Sequence, residues 1–158
     1  MGKLTFTDEQ FKKAEARATE YYREIKEIHC PYFGGKISFN RKGLDHIKFK
    51  RWNHARPRKD QYVRFKLFQY VPEVIRRSHT LQGVKKTETF ERVKVNSRWE
   101  QKMLPVEYHE FIAVLKGSRL RIIIRRLNAG ERHFWSLVPY WGQSEYGKEM
   151  FEGNPETD

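Results

Sequence analysis

Apolar residues in the first part of the chain recur at helical spacing. Phe11, Ala14, Ala18, Tyr21 or Tyr22, Ile25 and Ile28 lie three or four positions apart, the period of one helix face. Thr7 with Gln10 three residues on matches a capping box. The pattern predicts a long helix over residues 7–28, with Lys and Glu outward and the apolar stripe packed on a sheet. Pro31 and Gly34-Gly35 end it. Residues 36–39 read as a short strand. Asn40 caps a second helix over 41–50, with Leu44 and Ile47 inward. Residues 51–59 read as a loop, because Asn53 and Pro57 break the period. Asp60 is the expected cap of a third helix carrying Val63, Leu67, Phe68 and Tyr70, and Pro72 opens a short fourth over 73–78.

The second half changes period. Residues 87–95 alternate but are dominated by Glu, Lys and Arg, which suits an exposed hairpin or an edge strand blunted by charge. Three apolar runs come after it, at 111–115, 120–127 and 134–138. They are divided by Lys116-Gly117-Ser118 and Asn128-Ala129-Gly130-Glu131, the pattern of consecutive hairpins. In the middle run Leu120, Ile122 and Ile124 point to one face, and Arg119, Arg121 and Arg125 to the other. One face is a core roof; the other is a row of guanidiniums suited to an anion.

Helices first and strands afterwards predict an α+β fold, with N-terminal helices packed on one face of a C-terminal antiparallel β-sheet, a meander. A single domain is expected over residues 1–141. Residues 142–158 carry five acids against one base and read as a flexible acidic tail.

Composition narrows the partners. Of 158 residues, 33% are charged and 38% hydrophobic, but 15% are aromatic, too many for a disordered chain. Thirty-two Lys and Arg against 20 Asp and Glu give +12, a balance suited to a polyanion. The excess is concentrated. Residues 41–66 hold ten bases (Arg41, Lys42, Lys48, Lys50, Arg51, Arg56, Arg58, Lys59, Arg64 and Lys66) against Asp45 and Asp60. His46, Trp52, His54, Tyr62 and Phe65 are interleaved. Cations for phosphates with rings for bases make a nucleic-acid surface. Its expected members are Lys48, Lys50, Arg51, Trp52, Arg56, Arg58, Lys59 and Arg64. The bland reading of the same cluster is solvated helix faces around a Trp52 core plug.

The single cysteine, Cys30, excludes a disulfide within the chain and a Cys-based zinc site. No metal-ligand pair, Walker loop, dinucleotide turn or GxSxG elbow is present, so no metal and no cofactor are expected. The polar N-terminus has no signal-peptide pattern and no run is long enough to span a membrane; a cytoplasmic protein is the expectation.

Two histidines lie in the basic cluster, and histidine exchanges protons near neutral pH. Cleavage of RNA without a metal needs a base for the 2′-hydroxyl, an acid for the leaving oxygen, and cations for the phosphorane. His46 and His54 are the candidates for proton transfer, Arg121 and Arg125 for the clamp, and Ser136 for a hydroxyl donor. Taken singly, His46 reads first as a satisfied helix histidine and Ser136 as a small strand residue.

The segment Ile37-Ser38-Phe39-Asn40-Arg41-Lys42-Gly43-Leu44-Asp45-His46-Ile47 resembles the strand–helix opening of small phage- and toxin-associated nucleases in the barnase/EndoU/colicin/RelE-like superfamily. Leu120-Arg121-Ile122-Ile123-Ile124-Arg125 with His133-Phe134-Trp135-Ser136-Leu137-Val138-Pro139 resembles that superfamily's last strands. The resemblance spans residues 37–139. It implies a metal-independent, toxin-like endoribonuclease with helices on one side of the sheet and RNA on the other. By it, His46 is the acid–base, Arg121 or Arg125 the phosphate clamp and Ser136 the hydroxyl. The partners implied are RNA, with DNA as the alternative, and an acidic antitoxin or immunity protein. A rival expectation is a non-catalytic RNA- or DNA-binding protein of a phage or mobile element.

One question of register stays open. A two-residue turn on Ala129-Gly130 pairs residues 123 and 136 and puts Ser136 on the arginine face. A three-residue Asn128-Ala129-Gly130 loop pairs 122 with 136, turns Ser136 to the core and sets His133 beside Arg125.

Overall fold

The structure is a computed structural model and describes residues 5–51, 54–115 and 118–140. The acidic segment 142–158 lies outside the described residues.

Helix α1 (Asp8–Glu24) opens with the expected capping box: Gln10 N donates to Thr7 Oγ1 at 3.1 Å and Thr7 N to Gln10 Oε1 at 2.9 Å. Phe11, Ala14, Ala18 and Tyr22 form its buried stripe. The helix ends earlier than its apolar period predicts. Lys26, at φ 46°, reverses the chain, and β1 (Glu27–Cys30) runs antiparallel to β2 (Gly35–Ser38). Ile28 therefore reaches the same core from a strand rather than from a further helical turn.

Asn40 caps α2 (Arg41–Lys48) by accepting from Gly43 N at 3.3 Å. The expected loop after it contains a small ribbon, β3 (Phe49–Arg51) with β4 (His54–Ala55). Pro57, not Asp60, precedes α3 (Arg58–Leu67); Asp60 sits in the first turn, where a carboxylate also meets the helix dipole favourably. A 3₁₀ turn (Phe68–Tyr70) leads to α4 (Val71–Arg77), with Pro72 in its first turn.

Four long strands complete the fold: β5 (Gly83–Val95), β6 (Arg98–Leu115), β7 (Ser118–Leu127) and β8 (Arg132–Tyr140). The sheet order is β1-β2-β8-β7-β6-β5. β5 to β8 form the expected antiparallel meander. The β1–β2 hairpin joins it in parallel, where Ser38 meets His133, so the six-stranded sheet is mixed. The helices lie on one face, and Phe68, Phe111, Leu120, Ile122, Ile124, Phe134 and Leu137 fill the core between. Each such side chain contributes about 1.5–3 kcal/mol. The architecture is α+β, with helices N-terminal and strands C-terminal. Among the described residues no helix is long and apolar enough to cross a membrane.

Two local features shape the arginine face of the sheet. Gly43 brings α2 against β8: a Cβ there would collide with the Phe134 carbonyl oxygen and the Tyr22 hydroxyl. The helix thus covers the part of β8 that β2 leaves unpaired. Beyond Val106, where pairing with β7 ends, residues 98–105 of β6 pair with β5. These strands form an arm, closed by Asn96 and Ser97 at φ 49° and 67°, as a two-residue type I′ turn requires.

Candidate active site

The arginine face of β7 is built by its partner strand. Near the turn the register is that of the three-residue loop: Arg126 opposes Arg132, Arg125 opposes His133 and Ile124 opposes Phe134. Gly130 N closes the turn onto Leu127 O at 2.8 Å, with Asn128 and Ala129 at φ 49° and 57°. The register then shifts by one, and Ile123 opposes Ser136, Ile122 opposes Leu137 and Arg121 opposes Val138. Trp135 is the extra residue of a β-bulge. Both readings of the register are realised, one on each side of it. His133, Trp135 and Ser136 all fall on the arginine face, while Phe134 and Leu137 stay in the helix core.

A second, smaller apolar cluster of Val106, Tyr108, Ile123 and Trp135 lies on this face. Around it stand polar groups from three directions. From α2, the His46 ring stacks on Trp135, with centroids 4.2 Å apart and planes at 22°. From β7, the Arg125 guanidinium lies 4.5 Å from the Trp135 ring centroid. From β8, His133 meets the same indole edge-on at 6.1 Å.

Buried arginines brace the arrangement. Arg56 donates from Nε to the His46 carbonyl at 2.9 Å, and its Nη2 lies 3.1 Å from His46 Nε2. A guanidinium only donates, so His46 Nε2 accepts and the neutral ring carries its proton on Nδ1. Arg56 also faces Asp60 at 3.7 Å. Asp60 in turn accepts from Arg64 Nε at 2.7 Å. Arg64 Nη1 donates to Ser136 Oγ at 3.0 Å and to the Leu137 carbonyl at 2.6 Å. A continuous polar chain thus runs from His46 through Arg56, Asp60 and Arg64 to Ser136.

On the far side, Arg125 Nη2 donates to Glu91 Oε1 at 2.8 Å, and Lys42 approaches the other carboxylate oxygen at 3.9 Å. The β5–β6 arm therefore reaches back over the arginine face. Burial, then the nearby Arg125 charge, pushes the His133 imidazole down to about 4, so it is neutral at pH 7. Its buried Nε2 has no hydrogen-bond partner among the described residues.

Of the residues expected at a catalytic site, His46 and Arg125 meet the Trp135 ring, and Ser136, the next residue of β8, is held by Arg64. Arg121 shares the face but is bound by Glu110, through Nε at 2.9 Å and through Nη2, with both side chains buried. His54 is exposed on β4. The expected nucleic-acid surface divides. Lys50, Arg58 and Lys59 are exposed and Lys48 is half-buried, with Arg58 paired to Asp8 at 2.6 Å. Arg56 and Arg64 are 2% and 4% exposed, inside the protein and not on a solvent-facing surface. Trp52 and the Arg51 side chain lie outside the described residues. Sequence pattern alone did not single out Trp135, Tyr108, Asp60, Glu91 or Glu110. A Trp two residues after a His in a hairpin strand was the one available signal, and the two Glu were hidden by their distance along the chain.

Among the described residues no three His, Cys, Asp or Glu side chains gather to hold a metal ion. No curated protein and no solved structure matches the chain. One family model does, over residues 9–134, a stretch that includes α1 to α4, the arm and the start of β8. By that match the chain belongs to the large polyvalent protein-associated domain 3 family.

Proposed function

We propose that this protein is an endoribonuclease that cleaves RNA without a metal ion, by attack of a ribose 2′-hydroxyl on the adjacent phosphate. The observation that carries the reading is the bulge at Trp135. It turns Ser136, opposite Ile123, onto the same face on which His133 opposes Arg125, while His46 and Arg125 both meet the Trp135 indole.

The roles rest on the geometry. His46 is the proton donor: Arg56 occupies its Nε2 and Trp135 fixes its ring, which leaves the proton on Nδ1 to give. Arg125 supplies the cation for the developing phosphorane charge. Among its present partners is the Glu91 carboxylate, an anion that a substrate phosphate replaces. Arg64 holds Ser136 and the β8 edge in place, and Arg121 is a positioning residue through Glu110. In the reaction the 2′-hydroxyl gives its proton to water as its oxygen bonds to phosphorus, the bond to the 5′-oxygen breaks, and that oxygen leaves with the His46 Nδ1 proton, which water then restores. The products are a 2′,3′-cyclic phosphate and a 5′-hydroxyl.

Incubation of total RNA with the protein in EDTA tests this. Cleavage is expected, with cyclic phosphate ends, and His46→Ala is expected to slow it by about 10²–10⁴-fold. No cleavage, or cleavage indifferent to His46→Ala, overturns the reading.

A second reading is favoured by burial: His46 is 5% exposed and Ser136 0%. In it the same cluster is a brace, and the exposed bases bind RNA or DNA without cutting. It predicts salt-dependent binding with the strand intact. The basic exterior also suits an acidic protein partner, such as an antitoxin or immunity protein, which co-purification would reveal.

A further inference from the structure

The β5–β6 arm has an outer face that the helices do not reach. Strand alternation places Phe90, Arg92 and Lys94 on it from β5, and Trp99, Gln101 and Met103 from β6. Along the core this same face packs against helices. On the arm it is bare: Phe90 is 65% exposed, Trp99 57% and Met103 49%. Such large rings are not placed in water by the needs of the core.

Their arrangement chooses a partner. Phe90 pairs with Met103, Arg92 with Gln101, and Lys94 with Trp99. Ring, cation and ring therefore succeed one another along the arm, and the Arg92 guanidinium lies 5.1 Å from the Trp99 centroid. A protein-docking strip has a continuous apolar centre depleted of charge. Here a polar row divides the rings, and Arg92 and Lys94 outnumber the one nearby acid on this face, Glu88. Interleaved rings and cations are what unpaired bases and their phosphates require. Phe90 and Trp99 stand four strand positions apart, about 13 Å, the rise of about four stacked nucleotides. The inner face of the arm holds Glu91, bonded to Arg125, so the outer face lies across the ribbon from the candidate active site.

We infer that the outer face of the arm is a platform for single-stranded nucleic acid, with Phe90 and Trp99 stacking on bases and Arg92 and Lys94 meeting phosphates. This site is separate from the basic cluster at residues 41–66, and it does not depend on cleavage.

The test uses labelled oligo(dT), which has no 2′-hydroxyl to attack, and reads binding by fluorescence anisotropy across a salt series. Phe90→Ala and Trp99→Ala are each expected to weaken binding by about tenfold and to leave the salt slope unchanged. Arg92→Ala with Lys94→Ala is expected to reduce the slope of log K against log salt by about 1.4, or about 0.7 for each phosphate no longer neutralised. All four side chains are at least partly exposed, and unchanged thermal melting certifies the fold of each variant. Oligo(dT) affinity and slope unchanged in these folded variants overturn the inference and leave the face to a protein partner. Tight oligo(dT) binding by a protein that cuts no RNA, weakened by these substitutions, supports the platform and removes the nuclease reading.

Discussion

Arg64 separates a structural arginine from a phosphate-binding one. Replacement by Met keeps most of its length and removes its hydrogen bonds to Asp60, Ser136 Oγ and the Leu137 carbonyl. Truncating one partner of a buried charge pair costs about 3–5 kcal/mol. Asp60 is 27% exposed in its side chain and keeps Arg56 at 3.7 Å, which places its share at the low end. The Ser136 hydroxyl can turn to another acceptor or donor; the Leu137 carbonyl is fixed by the strand and cannot, and an unmet buried group costs about 1–3 kcal/mol. The expected loss is about 3 kcal/mol, a fall of about 6–12 °C in Tm for a chain of this size. Equilibrium urea unfolding, monitored by tryptophan fluorescence, measures it. Arg64→Lys, which retains the charge but not the fork, falls between. Were Arg64 a solvated phosphate ligand, its loss would change stability by less than about 0.5 kcal/mol and lower the RNA salt slope instead. That pair of results would refute the brace.

Two further perturbations probe the arginine face. His133 is held at about 4 against an ordinary value of 6.5, by burial first and Arg125 second. Its folded form thus resists the proton that the unfolded chain accepts. Stability is fully present above pH 6.5 and is lost as pH falls toward 4, by about 3 kcal/mol. His133→Gln is expected to flatten the stability profile in that window, and an unchanged slope in urea titrations would contradict the assignment; His109, also lowered by burial, contributes in the same direction and remains. Glu91→Gln removes the carboxylate beside Arg125 and Lys42. The variant is expected to be less stable, and inorganic phosphate to restore stability more than it does in wild type. Equal phosphate effects on the two Tm values would argue against an anion site at Arg125.

The coarse architecture was legible in the sequence because periodicity and caps are local. Thr7-Gln10 and Asn40 marked helix starts that the structure keeps, and the alternation of β7 sorted Leu120, Ile122 and Ile124 from Arg121 and Arg125. What failed was local pattern without local cause. Ile25 and Ile28 continue the helical spacing, but Lys26 turns the chain at a positive φ that no Gly or Asn announces. The Trp135 bulge likewise has no glycine to mark it, so either register alone looked sufficient when the chain contains both. Arg56 and Arg64 read as surface because arginine is rarely buried; only the fold brings Asp60, Ser136 and the β8 carbonyl to them. Glu91 and Glu110 counter the arginine row from strands that sequence distance concealed. Residues 87–95, read as an exposed hairpin or an edge strand blunted by charge, lie in β5 at the sheet edge, and the outer rings of the arm acquired meaning from cross-strand register.

His46, Arg125 and Ser136 are the proposed groups of a metal-independent RNA-cleaving site. One measurement reaches it most directly: cleavage, in EDTA, of a mapped RNA substrate beside the same strand with a single 2′-deoxy substitution at the scissile nucleotide. The all-ribose strand is expected to be cut to a 2′,3′-cyclic phosphate and the substituted strand to survive at that position. Equal cutting of the two strands, or no cutting of either, would contradict it.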